Sequence, residues 1–328
     1  MAVLVTGGAG YIGSHTVAEL LSSGEEVVVL DNLQKGHREA VVGGKFYQGD
    51  LRDDEFMDKM FGENDIKAVV HFAADSLVGE SVGEPLKYYN NNVVSTLKLL
   101  NKMKEHGVNK IVFSSTAATY GEPENTPILE TDRTVPTNPY GETKLTVEKA
   151  LKWADNAYGI KYTSLRYFNA AGAHMSGIIG EDHNPESHLI PIVLQVALGK
   201  REEVSIFGDD YNTPDGTCIR DYIHVTDLAQ AHILALKKLE SGGDSRIYNL
   251  GNGKGFSVKE VVELAREVTG KDIKAVISER RAGDPAVLVA SSERIRKELN
   301  WQPKYNDLRT IIETAWNWHK NNPEGYRD

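Results

Sequence analysis

The chain has 328 residues, 40% hydrophobic and 26% charged, with a formal net charge of −10. That length can bury a sizeable core as one large domain or two smaller ones, and the acidic balance argues against nucleic acid or a membrane surface as the main partner. One cysteine, Cys218, rules out an internal disulfide framework and suits a reducing, cytoplasmic setting; neither an N-terminal basic-plus-apolar segment nor an apolar run of the ~18 residues that span a membrane is read.

The first apolar run, Val3-Leu4-Val5, reads as a strand, and the stretch from Ser14 reads as a helix with Val17, Leu20 and Leu21 on one side. Between them lies TGGAGYIG, with glycines at Gly7, Gly10 and Gly13. A glycine turn joining a strand to a helix N-terminus presents backbone N–H groups and the positive end of the helix dipole, and is a phosphate site. The glycines let the backbone approach a pyrophosphate and let helix and strand pack closely. The spacing is G-x-x-G-x-x-G rather than G-x-G-x-x-G. Asp31 follows about 20 residues on, at the end of a second apolar run, Val27–Leu30. Its carboxylate can accept both ribose hydroxyls and would repel a 2′-phosphate, which favours NAD over NADP. Asp50, in GDLRD, stands where an adenine amino group can be bound, although Asp after Gly is also ordinary turn chemistry.

Residues 1–175 alternate strand and helix patterns. Strands are expected at 2–6, 26–31, 45–49, 68–73, 110–115 and 162–167, and helices at 12–23, 53–61, 85–106 and 138–159. Continuous Val/Ile/Phe runs suit strands buried on both faces, and the alternation gives an α/β fold, a Rossmann-type doubly wound parallel sheet. The fourth strand runs into HFAAD, where small residues leave room for a ligand; His71 reads as a packed core histidine.

The fifth strand ends in Ser114-Ser115-Thr116, and the helix from Asn138 carries Tyr140 and Lys144. Positions i and i+4 share a helix face, so phenol and ammonium point into one site. A free tyrosine, with a pKa near 10, is a poor base at neutral pH. Bringing it near 7 takes roughly 4 kcal/mol of differential stabilisation, which two close cations, the lysine and a nicotinamide ring, would supply. The Thr116 hydroxyl can share the hydrogen bond of the proton.

The glycine turn, the Tyr-x-x-x-Lys pair and the Ser/Thr strand end together resemble the extended short-chain dehydrogenase/reductase family. LDNL (30–33), HFAA (71–74), VGES (78–81), NPYGETK (138–144), LRYFNAAGAH (165–174), DGTCIRDYIHVTDLA (215–229) and IYNLGNG (247–253) resemble the UDP-glucose 4-epimerases within it, along essentially the whole chain. The resemblance implies an isomerase that uses NAD to interconvert UDP-glucose and UDP-galactose through a 4-keto sugar, with Tyr140, Lys144 and Thr116 catalytic. It implies cofactor contacts at Gly7, Gly10, Tyr11, Ile12, Gly13, Asp31, Asn32, Asp50, Leu51, Phe72, Ala73, Ala74, Asn91, Lys144 and Phe168. No metal is expected, and NAD is expected to stay bound through purification.

After Gly172 the pattern changes to a polar loop over 173–187. An apolar helix follows at 188–199, then short strands (204–207, 273–277) and helices (226–240, 257–269, 291–299, 307–321). This reads as a smaller nucleotide-sugar-binding domain, 176–328, with 218–250 returning to the NAD-binding domain, 1–175. Arg220 and Arg281 are the best diphosphate partners, since a guanidinium matches paired phosphate oxygens; the alternative is a structural ion pair with Asp221 or Asp284. The resemblance implies further substrate contacts at Thr116, Tyr140, Asn169, His188, Leu189, Ser205, Phe207, Tyr222, Asp284 and Leu288, with Phe207 lining the uracil pocket and Asp284 at the ribose. Cys218 reads as a small packed residue.

Three neighbouring readings are weighed. A 4,6-dehydratase of this fold needs an acid and a base after the threonine of the fifth strand, where this chain has Ala117-Ala118. A decarboxylase or uronate epimerase needs a cation for the sugar carboxylate, and none is assigned. A non-catalytic NAD-binding sensor has no need of the Tyr140–Lys144 pair. The chain also departs from the epimerase pattern. Ser76 stands where many relatives carry lysine, His188 replaces an asparagine, and Leu288 replaces a tyrosine, leaving space for an N-acetyl group, so that UDP-GlcNAc is expected to be accepted. The resemblance implies a homodimer through the helices 85–106 and 140–158, with Leu97, Leu100, Met103, Leu145, Val147 and Leu151 as apolar positions.

Overall fold

The computed structural model describes residues 1–281 and 284–327. Its first strands, β1 (Ala2–Thr6), β2 (Val27–Asp31) and β4 (Ile66–His71), are Val/Leu/Ile runs buried almost throughout, the pattern of strands covered on both faces. With β3 (Lys45–Gln48), β5 (Lys110–Thr116), β6 (Lys161–Tyr167) and β10 (Arg246–Leu250) they form one seven-stranded sheet in the order β10-β6-β5-β4-β1-β2-β3. Every neighbouring pair is parallel. The order reverses at β1, and in such sheets ligands bind beyond the C-terminal strand ends at that switch point.

Helices cover both faces: α1 (Tyr11–Ser22), α2 (Asp54–Glu63), α3 (Val78–Gly83), α4 (Pro85–Tyr88), α5 (Ser95–Glu105) and α6 (Pro139–Tyr158). One apolar layer joins Val3, Val5, Val17 and Leu20 to Leu228, Leu236 and Tyr248. The other joins Leu4, Val69 and Phe113 to Leu99, Met103, Val147 and Leu151.

Beyond β6 the elements are shorter: β7 (Asn169–Ala171), α7 (Leu189–Ala197), β8 (Val204–Phe207), β9 (Ile219–His224), α8 (Val225–Glu240), β11 (Gly255–Ser257), α9 (Val258–Thr269), β12 (Ala275–Ser278), β13 (Val287–Leu288), α10 (Glu293–Leu299) and α11 (Leu308–Asn321). β9 is the centre of a small sheet, flanked by β7, β11 and β13, while β8 pairs with β12. The chain then runs through α8 to β10 at the edge of the large sheet. Asp221, fully buried in β9, ties the small sheet together. Its carboxylate accepts the N–H groups of Asn252 (2.7 Å), Gly253 (3.2 Å) and Ala290 (3.2 Å).

Two expectations need correction. The helix expected over 85–106 is three pieces, α4, a π-helical turn at Tyr89–Val94 and α5. The wide turn accompanies the inward side chain of Asn92, whose amide accepts Asp75 N–H (2.8 Å) and donates to Asp75 O (3.0 Å) and Thr143 Oγ1 (3.1 Å). Of the apolar residues assigned to an intersubunit surface, Leu100, Met103, Leu145, Val147 and Leu151 are buried within the chain, and only Leu97 is exposed. Their helices need an apolar face for their own sheet before any partner. The exposed apolar side chains on α3 to α6 are Val78, Val82, Leu86, Val94, Leu97, Trp153 and Tyr158.

Candidate active site

The turn after β1 is held shut by its glycines. Gly7 has φ +71°, and a Cβ there would lie 2.5 Å from Ala73 N; one on Gly13 would lie 2.1 Å from Gly7 O. Gly10 differs: a Cβ would meet only Gly7 O, at 3.4 Å, so its outer side is open to a ligand. Gly10 caps α1 without a side-chain hydrogen bond, and the first bond of the helix runs from Ser14 N–H to Gly10 O. The N–H groups of Tyr11, Ile12 and Gly13 therefore lack intrahelical acceptors and form an anion site. The Tyr11 phenol is not part of it, since it donates to Gly172 O at 2.6 Å. Phe72 and Ala73 follow β4 rather than extending it, and their N–H groups donate to Thr6 O at 2.9 and 3.1 Å, beside Gly7.

Asp31 ends β2, buried, with one carboxylate oxygen accepting Ala9 N–H and the other Leu33 N–H, both at 2.9 Å. Burial pushes its carboxyl above the ordinary range despite these donors. Each oxygen keeps a lone pair for a ribose hydroxyl. Asn32 is exposed next to it and donates to Asp50 at 3.2 Å. The Asp50 carboxylate is gripped by the Arg52 guanidinium at 2.6 and 2.8 Å, which holds it down to about 2. Leu51 is buried in the core, so only its backbone can meet a ligand. Together the glycine cradle, the free N–H groups and the buried carboxylate fit a dinucleotide. Ala74, Asn91 and Phe168 are half-buried, on the loop after β4, the π-helical turn and the end of β6; Asn91 hydrogen-bonds the buried Asp75.

Asn138 starts α6, its side chain accepting Gly141 N–H at 2.9 Å, with Pro139 in the first turn, where its missing N–H costs nothing. This fixes Tyr140 half-buried near the helix start. The phenol faces the hydroxyl of Thr116, the last residue of β5, which acts to lower its pKa. One turn on, Lys144 is buried; its ammonium donates to Ser114 O at 2.9 Å and lies 6.0 Å from the Tyr140 ring centroid. Burial lowers Lys144 to about 7, against the opposing pull of Glu148. Burial also pushes the Tyr140 phenol up, with the Thr116 hydroxyl working against it. The protein's own groups therefore do not produce the lowered phenol expected from the sequence, because the lysine charge is itself desolvated. A supporting group went unread: Glu148, the next i+4 position, accepts from Ser115 Oγ (2.5 Å) and from the guanidinium of Arg166 on β6 (Nε at 2.9 Å). The repeat Tyr140-Lys144-Glu148 was the available signal.

A cavity of about 310 Å³ opens beside β7 and the start of α7, lined by Asn169, His188, Leu189, Ser205, Phe207, Arg220, Tyr222, Arg281 and Asp284 together with Cys218, Glu181 and others. These residues, scattered over more than a hundred positions, thus come together. Thr116 and Tyr140 stand apart from this lining, and Leu288 lies on β13 in register with Arg220. The Arg220 guanidinium donates to Asp284 Oδ1 at 2.8 Å and to Ile219 O and Pro285 O at 2.9 Å. Two expected ligands thus pair with each other. Arg281 lies over the Phe207 ring, 3.9 Å from its centroid. His71 is a core residue, joined to Thr6 (2.6 Å) and Thr96 (2.8 Å) and lowered by burial to about 3. Cys218 is buried and unpaired by any disulfide.

A Rossmann-type sheet, a dinucleotide cradle and a Tyr–Lys pair at its C-terminal edge define the class. Residues 3–251 match the NAD dependent epimerase/dehydratase family, and the chain belongs to it. It is 65% identical over 326 residues, 99% of this chain and 98% of the relative, to a UDP-glucose 4-epimerase of Halalkalibacterium halodurans. A solved UDP-glucose 4-epimerase structure superposes with a TM-score of 0.99 at 60% identity, covering 100% of both chains. The UDP-glucose 4-epimerase of Bifidobacterium longum, solved in complex with NAD+ and UDP, superposes at 0.94 with 42% identity, covering 99% of this chain and 100% of the other. Among the described residues, no helix is long and apolar enough to cross a membrane.

Proposed function

We propose that the chain is an NAD-dependent epimerase that interconverts UDP-glucose and UDP-galactose by inverting C4. The observation that carries this is Tyr140 one helical turn before the buried Lys144, whose ammonium is anchored on Ser114 O, with Thr116 next to them at the same C-terminal sheet edge as the glycine cradle. NAD, when bound, supplies hydride removal and return at C4. Tyr140 takes the proton from O4 and gives it back, and Thr116 holds the hydrogen bond in which that proton moves. Lys144, kept in place by Ser114 O and balanced by Glu148, sets the field at the phenol. A positively charged nicotinamide is the second cation that a phenolate needs here. Arg220 and Arg281 hold the diphosphate while the sugar turns over between its two faces. Dehydration is disfavoured because Ala117 and Ala118 cannot transfer protons, and a sensor role leaves the Tyr140–Lys144 pair without a purpose. Leu288 in place of a larger phenol extends the reading to UDP-GlcNAc; complete inactivity on it, with normal turnover of UDP-galactose, would refute that extension.

The reading includes a cytoplasmic homodimer whose subunits meet through Leu86, Leu97 and Trp153. It also includes a division near residue 175 into a cofactor domain and a nucleotide-sugar domain, with 218–250 returning to the first. Purified protein incubated with UDP-galactose and no added NAD tests the reaction and the tightly held cofactor together. Conversion to UDP-glucose supports both; no conversion even with added NAD rejects the reaction.

A further inference from the structure

The loop between β7 and α7 carries Glu181, His183, Glu186 and His188, one donor atom from each lying within 4.8 Å of all the others. We propose that these four side chains form a closed site for a transition-metal dication of the Zn2+ class, bracing the loop that walls the nucleotide-sugar cavity. Both histidines turn Nδ1 to the same oxygen, Glu181 Oε1; for His183 the distance is 3.3 Å. Glu186 Oε2 lies 3.7 Å from His183 Nδ1, and Glu186 Oε1 lies 4.0 Å from His188 Nδ1. Ligands about 2.1 Å from a tetrahedral zinc stand roughly 3.4 Å from one another, so small side-chain rotations complete the shell.

Three features favour a metal over a set of ion pairs. The two imidazole rings meet at 5.2 Å, edge to face, which lets both direct Nδ1 at one point without ring overlap. Glu181 is buried and turns a single oxygen to both imidazoles, so three donor atoms from three side chains already converge on one point. The Glu186 carboxylate is oriented beforehand, since Oε1 accepts the N–H groups of Ser187 (2.7 Å) and His188 (2.8 Å), leaving Oε2 toward His183. Two imidazoles with two carboxylates suit Zn2+ and its neighbours rather than Mg2+ or Ca2+, which take all-oxygen shells. Four protein ligands leave no open position, which marks a structural site. The spacing E-x-H-x-x-E-x-H is present in the sequence. The site does not depend on the reading of the reaction.

The test uses the full chain, stripped with a chelator and titrated with Zn2+ alone against a competing indicator, and with Co2+ alone followed by visible absorption. The site predicts one Zn2+ per chain and an intense tetrahedral Co2+ band. In H183A and E186Q the band is lost, and Zn2+ affinity falls by more than the roughly 10–100-fold that loss of an outer-shell partner costs. Zn2+ should raise the Tm of the wild type and not of E186Q, a near-isosteric change that keeps the loop's shape should H183A misfold. Substoichiometric Zn2+ without the Co2+ band would overturn the site. So would Zn2+ binding equally tight in wild type and both variants, since that is adventitious surface binding.

Discussion

Tyr140 and Lys144 illustrate how burial sets chemistry one residue at a time. The phenol is raised and the ammonium lowered for the same reason, loss of solvent. Tyr140→Phe is expected to reduce kcat by about 10²–10⁴-fold, the usual worth of a positioned proton-transfer group, with Tm unchanged; a Tm drop that accounts for the lost rate would contradict the role. Lys144 adds a stability signature. Its folded value of about 7 lies below the 10.5 of an exposed lysine, so between those pH values the unfolded chain binds more protons. Stability of the cofactor-free protein should rise with pH across that window. Below pH 7 the lysine is protonated in both states and the burial cost is fully present. Urea unfolding at pH 7 and 9 should show a steeper rise in the wild type than in Lys144→Met. Equal slopes would place the ammonium in solvent.

At the scale of elements, the glycine turn separates packing from binding. Gly13→Ala places a methyl 2.1 Å from Gly7 O and should lower Tm, whereas Gly10→Ala meets only Gly7 O at 3.4 Å and should fold normally yet lose bound NAD. The nicotinamide absorbance of the purified proteins reads the difference. Asp221→Ala strands the buried N–H of Ala290 and takes the acceptor from the half-buried Asn252 N–H and the exposed Gly253 N–H; one buried unsatisfied donor costs about 1–3 kcal/mol, so a loss of about 2 kcal/mol is expected in urea unfolding, and a loss below about 1 kcal/mol would mean that β9 is not held by this carboxylate. Most strands up to β6 were legible because parallel strands buried on both faces write themselves as unbroken apolar runs; the short helix α3 and the break within 85–106 were not. Beyond β6, five strands went unread: β7, β11 and β13, which are two or three residues long and placed by the strands they pair with, and the longer β9 and β10, whose mixed polar and apolar residues give no unbroken run. The Tyr140–Lys144 pair was legible through i+4 spacing. Glu148 was missed despite the same spacing, because its partners Ser115 and Arg166 come from other strands. The Arg220–Asp284 pair likewise exists only once β9 and the 284–285 segment meet.

For the whole molecule, several of the apolar side chains left outside the core lie on α4, α5 and α6. Leu86 is 81% and Trp153 70% exposed, on helices whose inner faces are already committed to the sheet. Sedimentation should show a dimer that Leu86→Asp with Trp153→Ser converts to a monomer, and a monomeric wild type would contradict the pairing. The fold gathers a cradle from β1, a proton-transfer pair from β5 and α6, and an anion cavity from β7 to β9 along a single sheet edge, and the account rests on their acting together on one sugar carbon. The most direct measurement follows UDP-galactose labelled with deuterium at C4, turned over by wild type and Tyr140→Phe. The account predicts UDP-glucose that keeps the label at C4 of the same molecule, without exchange with water, formed about 10²–10⁴-fold more slowly by the variant. Label lost to solvent, or undiminished product from Tyr140→Phe, would contradict it.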